Sequence, residues 1–335
     1  MDTPILISWI VRAIAFGTII LFGALGETVT EKSGNLNLGV PGIMYLGGFS
    51  GFASSYYYEK LSAHPNEFVC VLIALICCIA ASVIGGLIFS FLTITLRANQ
   101  NVTGLALTTF GMGIANFFGT YILKMDNGAT STKADLGNRA FTAKLPFLSR
   151  VPGFWSEILF QYGFLAYAVI LLAIVLHIIL NKTQVGLRLR AVGESAATAD
   201  AAGINVTKYK YLATCIGAGI SGIGGMYYVM DYNHGIWATT DQIQQLGWLA
   251  VALVIFMTWK PLNGIWGAYL FGTLYWLYEY LPSLLHLSIS NYTKDLTQML
   301  PYVVTIVVLV TVSLRKKRES QPPAGLGLSY FREER

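Results

Sequence analysis

Charge is scarce in this chain. Lysine, arginine, aspartate and glutamate make up 12% of its 335 residues, against 55% apolar, and that is about half the charged share of a soluble domain. With a mean hydropathy of +0.58, the chain reads as a membrane protein. Its apolar runs cover almost the whole length, so one transmembrane domain is expected rather than two soluble ones. The dipeptide GK occurs nowhere; without it there is no phosphate-cradling P-loop, and the chain cannot be its own ATPase. H-E-x-x-H, a nucleophile elbow and paired carboxylates are missing too, which argues against a membrane protease or transferase and leaves no catalytic residue to assign. The four cysteines, Cys70, Cys77, Cys78 and Cys215, sit inside apolar runs as small hydrophobes and offer no disulfide framework. His64, His177, His234 and His286 are scattered without ligand spacing, so neither a metal nor a cofactor held by this chain is expected. The net charge of +5 calls for no nucleic acid. Basic residues beside membrane spans follow from topology and from anionic lipid.

What is there is a series of apolar segments. A hydrocarbon core about 30 Å thick takes roughly 20 helical residues, and nine segments qualify, at 5–25, 36–57, 68–96, 104–123, 158–180, 211–230, 246–259, 262–281 and 300–314. The fold class expected is an all-α polytopic membrane protein of about nine, or eight to ten, spans. The third segment is long enough to tilt or break near Gly85 and Gly86. The first, with Arg12 inside it and no small-residue cleavage site, reads as a retained span. Counted with nine spans, fourteen lysines and arginines fall on one side and seven on the other, Arg12 lying within a span. The positive-inside rule makes the first side cytoplasmic. One loop runs against the count, since residues 124–157 carry five basic groups. Residues 1–314 then form the transmembrane domain, with a cytoplasmic loop at 181–210. Residues 315–335, basic and proline-containing, are expected as a disordered cytoplasmic tail.

The loop contains the most distinctive stretch, GLRLRAVGESAATADAAGINV at 186–206. Alanine dominates its inner part, Glu194 stands where a helix dipole favours an anion, and Gly203 stands where a helix would stop. A helix over 195–202 is predicted. It is too short to persist alone in water, so spans or a partner must hold it, and small side chains such as Ala197 and Ala201 let another surface approach.

The run G-x-R-x-R-A-x-G-E-x-x-x-x-A-x-x-x-G-I-N-V resembles the coupling segment of ABC-importer permeases of the ribose, branched-chain amino acid and nucleoside branch. GETVTEKSGNLNLGVPGIM at 26–44 and LGWLAVALVIFMTWKPLNG at 246–264 are similar to further signatures of the nucleoside-type permeases, so the similarity spans nearly the whole chain. The resemblance implies that Gly193, Glu194, Ser195, Ala197, Ala201 and Gly203, flanked by Arg188 and Arg190, form a short coupling helix that docks into an ATPase. It further implies a cytoplasmic ABC ATPase carrying ATP and Mg, a second homologous permease and an extracellular substrate-binding lipoprotein, all serving a multi-pass subunit of a bacterial cell membrane. Nucleosides or related ribosyl and sugar compounds are the implied cargo. Branched-chain amino acids, simple sugars and riboflavin are the alternatives within the fold. A secondary transporter is the rival from another class, and would be expected to show intramembrane acids and inverted repeats.

The segment 26–44 is polar for its place between two spans. Polar groups and helix breakers at membrane depth are tolerated where they line a cavity or are buried in protein. Two readings of Asn35 and Asn37 stay open, a place beside the substrate pathway or a cap on the next helix. Thr108, Asn116, Phe117 and Trp248 are further pathway candidates, because amides read base edges and rings stack on base faces. For each of them ordinary packing is the competing explanation.

Overall fold

A computed structural model describes residues 3–125, 130–144, 158, 160–285, 296, 299–315 and 321–331. Among these, the helices are α1 (Thr3–Glu31), α2 (Val40–Leu61), α3 (Glu67–Ser90, continued by a π turn at Phe91–Thr95), α4 (Gln100–Met125), α5 (Asp135–Thr142), α6 (Phe164–Lys182), α7 (Gln184–Glu194), α8 (Ala196–Ala201), α9 (Val206–Tyr227, continued by a π turn at Tyr228–Tyr232), α10 (Gln242–Phe256), α11 (Pro261–Leu285) and α12 (Leu300–Arg315). The only strands among the described residues, β1 (Ser131–Lys133) and β2 (Ile236–Ala238), pair antiparallel with Thr132 opposite Trp237.

Among the described residues, five helices are long and apolar enough to cross a membrane: Ile5–Glu31, Glu67–Thr95, Gln100–Met125, Phe164–Lys182 and Val206–Tyr232. Gln242–Phe256 is a shorter apolar helix beside them. α3, α4, α6 and α12 turn large hydrophobics outward, among them Ile76, Phe91, Phe117, Leu171 and Ile306, as helices in contact with acyl chains do. This is a multi-pass membrane protein of the all-α class. The inner helices α1, α2 and α9 pack through glycine. A Cβ at Gly47 would lie 2.6 Å from Gly222 Cα, and one at Gly48 would lie 2.8 Å from the Gly225 carbonyl oxygen. Backbones approach this closely only where side chains are missing, the usual device of helices in lipid.

Several boundaries differ from expectation. α1 runs on to Glu31, because its two glutamates find buried partners and do not end the helix. α2 begins at Val40, with Pro41 in its first turn, so the expected span from residue 36 starts four residues late. α6 begins at Phe164 after an extended Gly163, and not at 158. α3 passes straight through Gly85 and Gly86, whose small size serves packing. A Cβ at Gly86 would lie 2.7 Å from the Ala218 Cβ, and the irregularity falls instead at the π turn that follows. Arg12, a charge inside a span, bridges to Glu279 at 3.4 Å and lies 5.0 Å from the Trp276 ring centroid, a pairing that lowers the cost of its depth.

Candidate functional site

Two neighbouring constructions stand out, and both lie toward the end of the bundle where α9 begins. The first is built on the chain between α1 and α2. After Glu31, residues 32–39 turn back alongside α1, bringing the Asn37 backbone N–H within 3.0 Å of the Glu27 carboxylate. Val40 then starts α2 beside Gly23, two helical turns up α1 from Glu31. Irregular backbone at this depth must have its polar groups satisfied by protein, and side chains from several helices supply partners. Asn35 Nδ2 donates to Thr214 Oγ1 at 3.0 Å, the Leu36 N–H to Gln100 at 2.7 Å, and Thr108 Oγ1 to the Leu38 carbonyl at 2.9 Å. Asn37 Oδ1 accepts from the Gly39 N–H at 2.9 Å, at the entry to α2. Asn35 Oδ1 alone in this knot has no partner.

Glu31 is tied in from the turn between α10 and α11. Its carboxylate accepts from the Trp259 indole N–H, which arrives because Thr258 and Trp259 both adopt left-handed backbone, with φ of 52° and 55°. Two such residues in succession cost about 1–2 kcal/mol each. A strained turn held in place by a buried contact is a common mark of a working site.

The second construction is the pair α7 and α8. Thr183 caps α7, its Oγ1 accepting from the Gly186 N–H at 3.2 Å, and Ser195 caps α8, accepting from the Thr198 N–H at 3.3 Å. Gly203, at φ 81°, stops α8. The predicted helix over 195–202 is therefore present as Ala196–Ala201. What the sequence did not announce is α7, a second helix that forms a rigid arm between α6 and α8. Ala199 is buried against Val192 and Val206 and anchors α8. Glu194, Ser195, Ala197, Thr198, Ala201 and Gly203 face outward, so the exposed side of α8 is made of small groups.

The two constructions meet at Gly193. A Cβ there would stand 3.3 Å from the Gly34 nitrogen and closer still to the Lys32 carbonyl oxygen. Lys32 lies among Arg190, Lys260 and Glu194. Burial depresses its pKa below the ordinary lysine range, and the neighbouring cations act in the same direction. Arg188 is exposed, whereas the Arg190 Nε is buried without a partner.

Residues 321–331 lie on the same surface, where disorder was expected. The Gly325 N–H donates to the Gly193 carbonyl at 2.9 Å and the Gly327 N–H to the Gly34 carbonyl at 3.1 Å. Tyr330 donates to Asp200 at 2.7 Å, and the Arg97 guanidinium lies 4.6 Å from the Phe331 ring centroid. The glycines let this backbone lie flat against two others, which a reading of composition alone misses. Of the candidate pathway residues, Asn35, Asn37 and Thr108 come together in the buried knot. Phe117 is exposed on the outer face of α4, Asn116 has its Oδ1 buried without a partner, and Trp248 is half-buried on α10.

The permease family described as "Branched-chain amino acid transport system / permease component" matches residues 9–309. The chain belongs to this family. A guanosine ABC transporter permease of Bacillus subtilis is 28% identical over the full length of both proteins. A nucleoside ABC transporter permease of Lactococcus lactis is 27% identical over 90% of each. A putative glucose ABC transporter permease of Haloferax volcanii is 31% identical over 77% of this chain and 72% of its own length. No solved structure matches the permease. As an ABC permease it is a transport component and not an enzyme, and the family implies an ATPase and a substrate-binding protein as its partners.

Proposed function

We propose that this permease subunit imports nucleosides or related ribosyl or sugar compounds, receiving them from an extracellular binding lipoprotein and passing them across a bacterial cell membrane by alternating access. α7 and α8 dock into a cytoplasmic ATPase that holds ATP and Mg, a second homologous permease completes the pathway, and the C-terminus is cytoplasmic. What carries the reading is the contact of Gly193 with Lys32 and Gly34. A push on the small exposed face of α8 is transmitted through the α7 arm to the re-entrant segment at 32–39, and from there to the inner ends of α1 and α2. Arg188 and Arg190, carried on that arm, flank α8 and meet the ATPase. Asn35, Asn37 and Thr108 hold the segment that moves, while Asn116, Phe117 and Trp248 are assigned to the path or to its walls.

Nucleosides are favoured by the guanosine and nucleoside relatives, which match nearly end to end. A simple sugar is the second reading, favoured by the glucose relative. The test is uptake of radiolabelled guanosine and of glucose by cells carrying or lacking the cognate ATPase of this permease. Guanosine uptake that disappears with the ATPase is the expected result. Uptake that persists would make the protein a secondary transporter, and uptake of glucose alone would replace the substrate.

A further inference from the structure

A cavity of about 190 Å³ lies between α1, α9, α10 and α11, in the half of the bundle remote from α8. Its walls are aromatic. Phe16 and Tyr275 stack with centroids 4.2 Å apart and planes 16° apart, Tyr228 and Tyr232 stack at 5.8 Å, and Phe16 meets Tyr232 edge-on at 6.4 Å. α10 closes the remaining side with Gln242, Gln245, Leu246 and Leu249, spaced as one helical face. The π turn at Tyr228–Tyr232 widens α9 here, a distortion that recurs at functional sites. Gln242 Oε1 accepts from the Tyr228 hydroxyl, which fixes that amide's orientation. The Gln245 amide is exposed at the cavity.

We infer that this cavity is a station on the translocation pathway that holds the heterocyclic base of a nucleoside, stacked on the rings of its wall and read along its edge by Gln242 and Gln245. The inference rests on the importer reading above and deepens it by locating where the cargo is recognised.

Three features of the walls select the chemistry. Among the described residues no charged side chain lines the cavity, so the ammonium and carboxylate of an amino acid would be desolvated there without a partner in its walls, at a prohibitive cost. Two amides, each both donor and acceptor, match the mixed donor and acceptor edge of a neutral base, and aromatic walls stack on any base face. The volume is below the roughly 300 Å³ at which pockets for whole drug-sized ligands begin. One ring system fits inside, and the ribose is left at the mouth, where the pathway continues.

The test has two arms. In the first, the wild-type permease in its complex with ATPase and partner permease is photolabelled with 8-azidoguanosine and the modified peptides are mapped. Labelling of peptides containing Tyr228, Tyr232 or Tyr275, competed by guanosine and not by ribose or leucine, is expected. In the second arm, uptake of tritiated guanosine at sub-saturating concentration is measured in proteoliposomes for Gln245→Leu, Tyr275→Leu and Tyr275→Phe. Loss of one stacking or edge contact is worth about tenfold, so both leucine variants should fall by that factor or more. Tyr275→Phe, which keeps the ring, should recover most of the loss. Assembly is followed by size exclusion, so that a variant that fails to fold is recognised and the photolabelling then decides. Guanosine uptake by the wild type with labelling elsewhere, or with full uptake by both leucine variants, overturns the base station and leaves the importer reading standing. Wild-type uptake of glucose and of no nucleoside overturns both.

Discussion

Replacing Gly193 by valine should uncouple transport from ATP hydrolysis without dismantling the complex. At this position the α7 arm lies directly against the re-entrant segment. A Cβ would stand 3.1 Å from the Lys32 carbonyl carbon and 3.3 Å from the Gly34 nitrogen, inside ordinary contact, and closer still to the Lys32 oxygen. Neither neighbour yields easily. Gly34 holds a left-handed φ of 87°, and the Gly193 carbonyl is itself held by the Gly325 N–H from the other side at 2.9 Å. Overpacking of this kind costs about 1–3 kcal/mol. Removing a glycine from a helix returns at most about 1 kcal/mol, and less for a β-branched residue. The steric term wins by about 1–2 kcal/mol, enough to shift the population of the seated arm by about 5- to 30-fold. The assay is the ratio of nucleoside taken up to ATP hydrolysed in proteoliposomes. We expect that ratio to fall by about the same factor, with membrane insertion and ATPase association retained. A normal ratio in Gly193→Val would refute the mechanical link between α8 and residues 32–39.

Ala197→Trp and Ala201→Trp place a bulky ring on the exposed face of α8, and should abolish co-purification of the ATPase while leaving insertion intact; normal co-purification would move the docking surface elsewhere. Gly222→Val would drive its Cβ into Ser82, whose Cβ is already 2.6 Å from that position, and should cost about 3 kcal/mol with a collapse in membrane yield. Gly113→Ala, with nothing within 4 Å, should leave the yield unchanged, so equal yields would remove the packing argument. In a cysteine-free background, cysteine at Lys133 should react with an impermeant reagent from outside intact cells, and cysteine at Ser195 only after permeabilisation. α9 separates these two positions, and labelling of Ser195 from outside would invert the topology derived from the charge count.

Much of the site was legible in local pattern, because local physics decides it. Serine before an alanine run and glycine after it specify a short capped helix wherever the chain is placed, and Ser195, Ala196–Ala201 and Gly203 form one. The pairing of Asn35 and Asn37 with helix breakers signalled irregular, buried backbone. Their partners could not be read, since Thr214, Gln100 and Glu27 are brought to them by packing and not by spacing. α7 was hidden because its glycines and arginines suggest a solvated loop until a neighbouring span supports them. Gln242 and Gln245 carry no local signal of a site, because polar residues ahead of an apolar helix ordinarily mean the membrane surface.

By itself the sequence determined that this is a helical membrane protein with one short capped helix set between spans and an unusually polar segment between the first two of them. Composition, hydropathy and capping act over a few residues and need no partner to be evaluated. Only the tertiary structure decided that residues 321–331 lie across Gly34 and Gly193, that Trp259 reaches Glu31, and that rings from α1, α9 and α11 enclose a cavity with two amides of α10. Each of these joins groups more than a hundred residues apart, and their meeting depends on glycine-lined crossings that set how closely the helices approach.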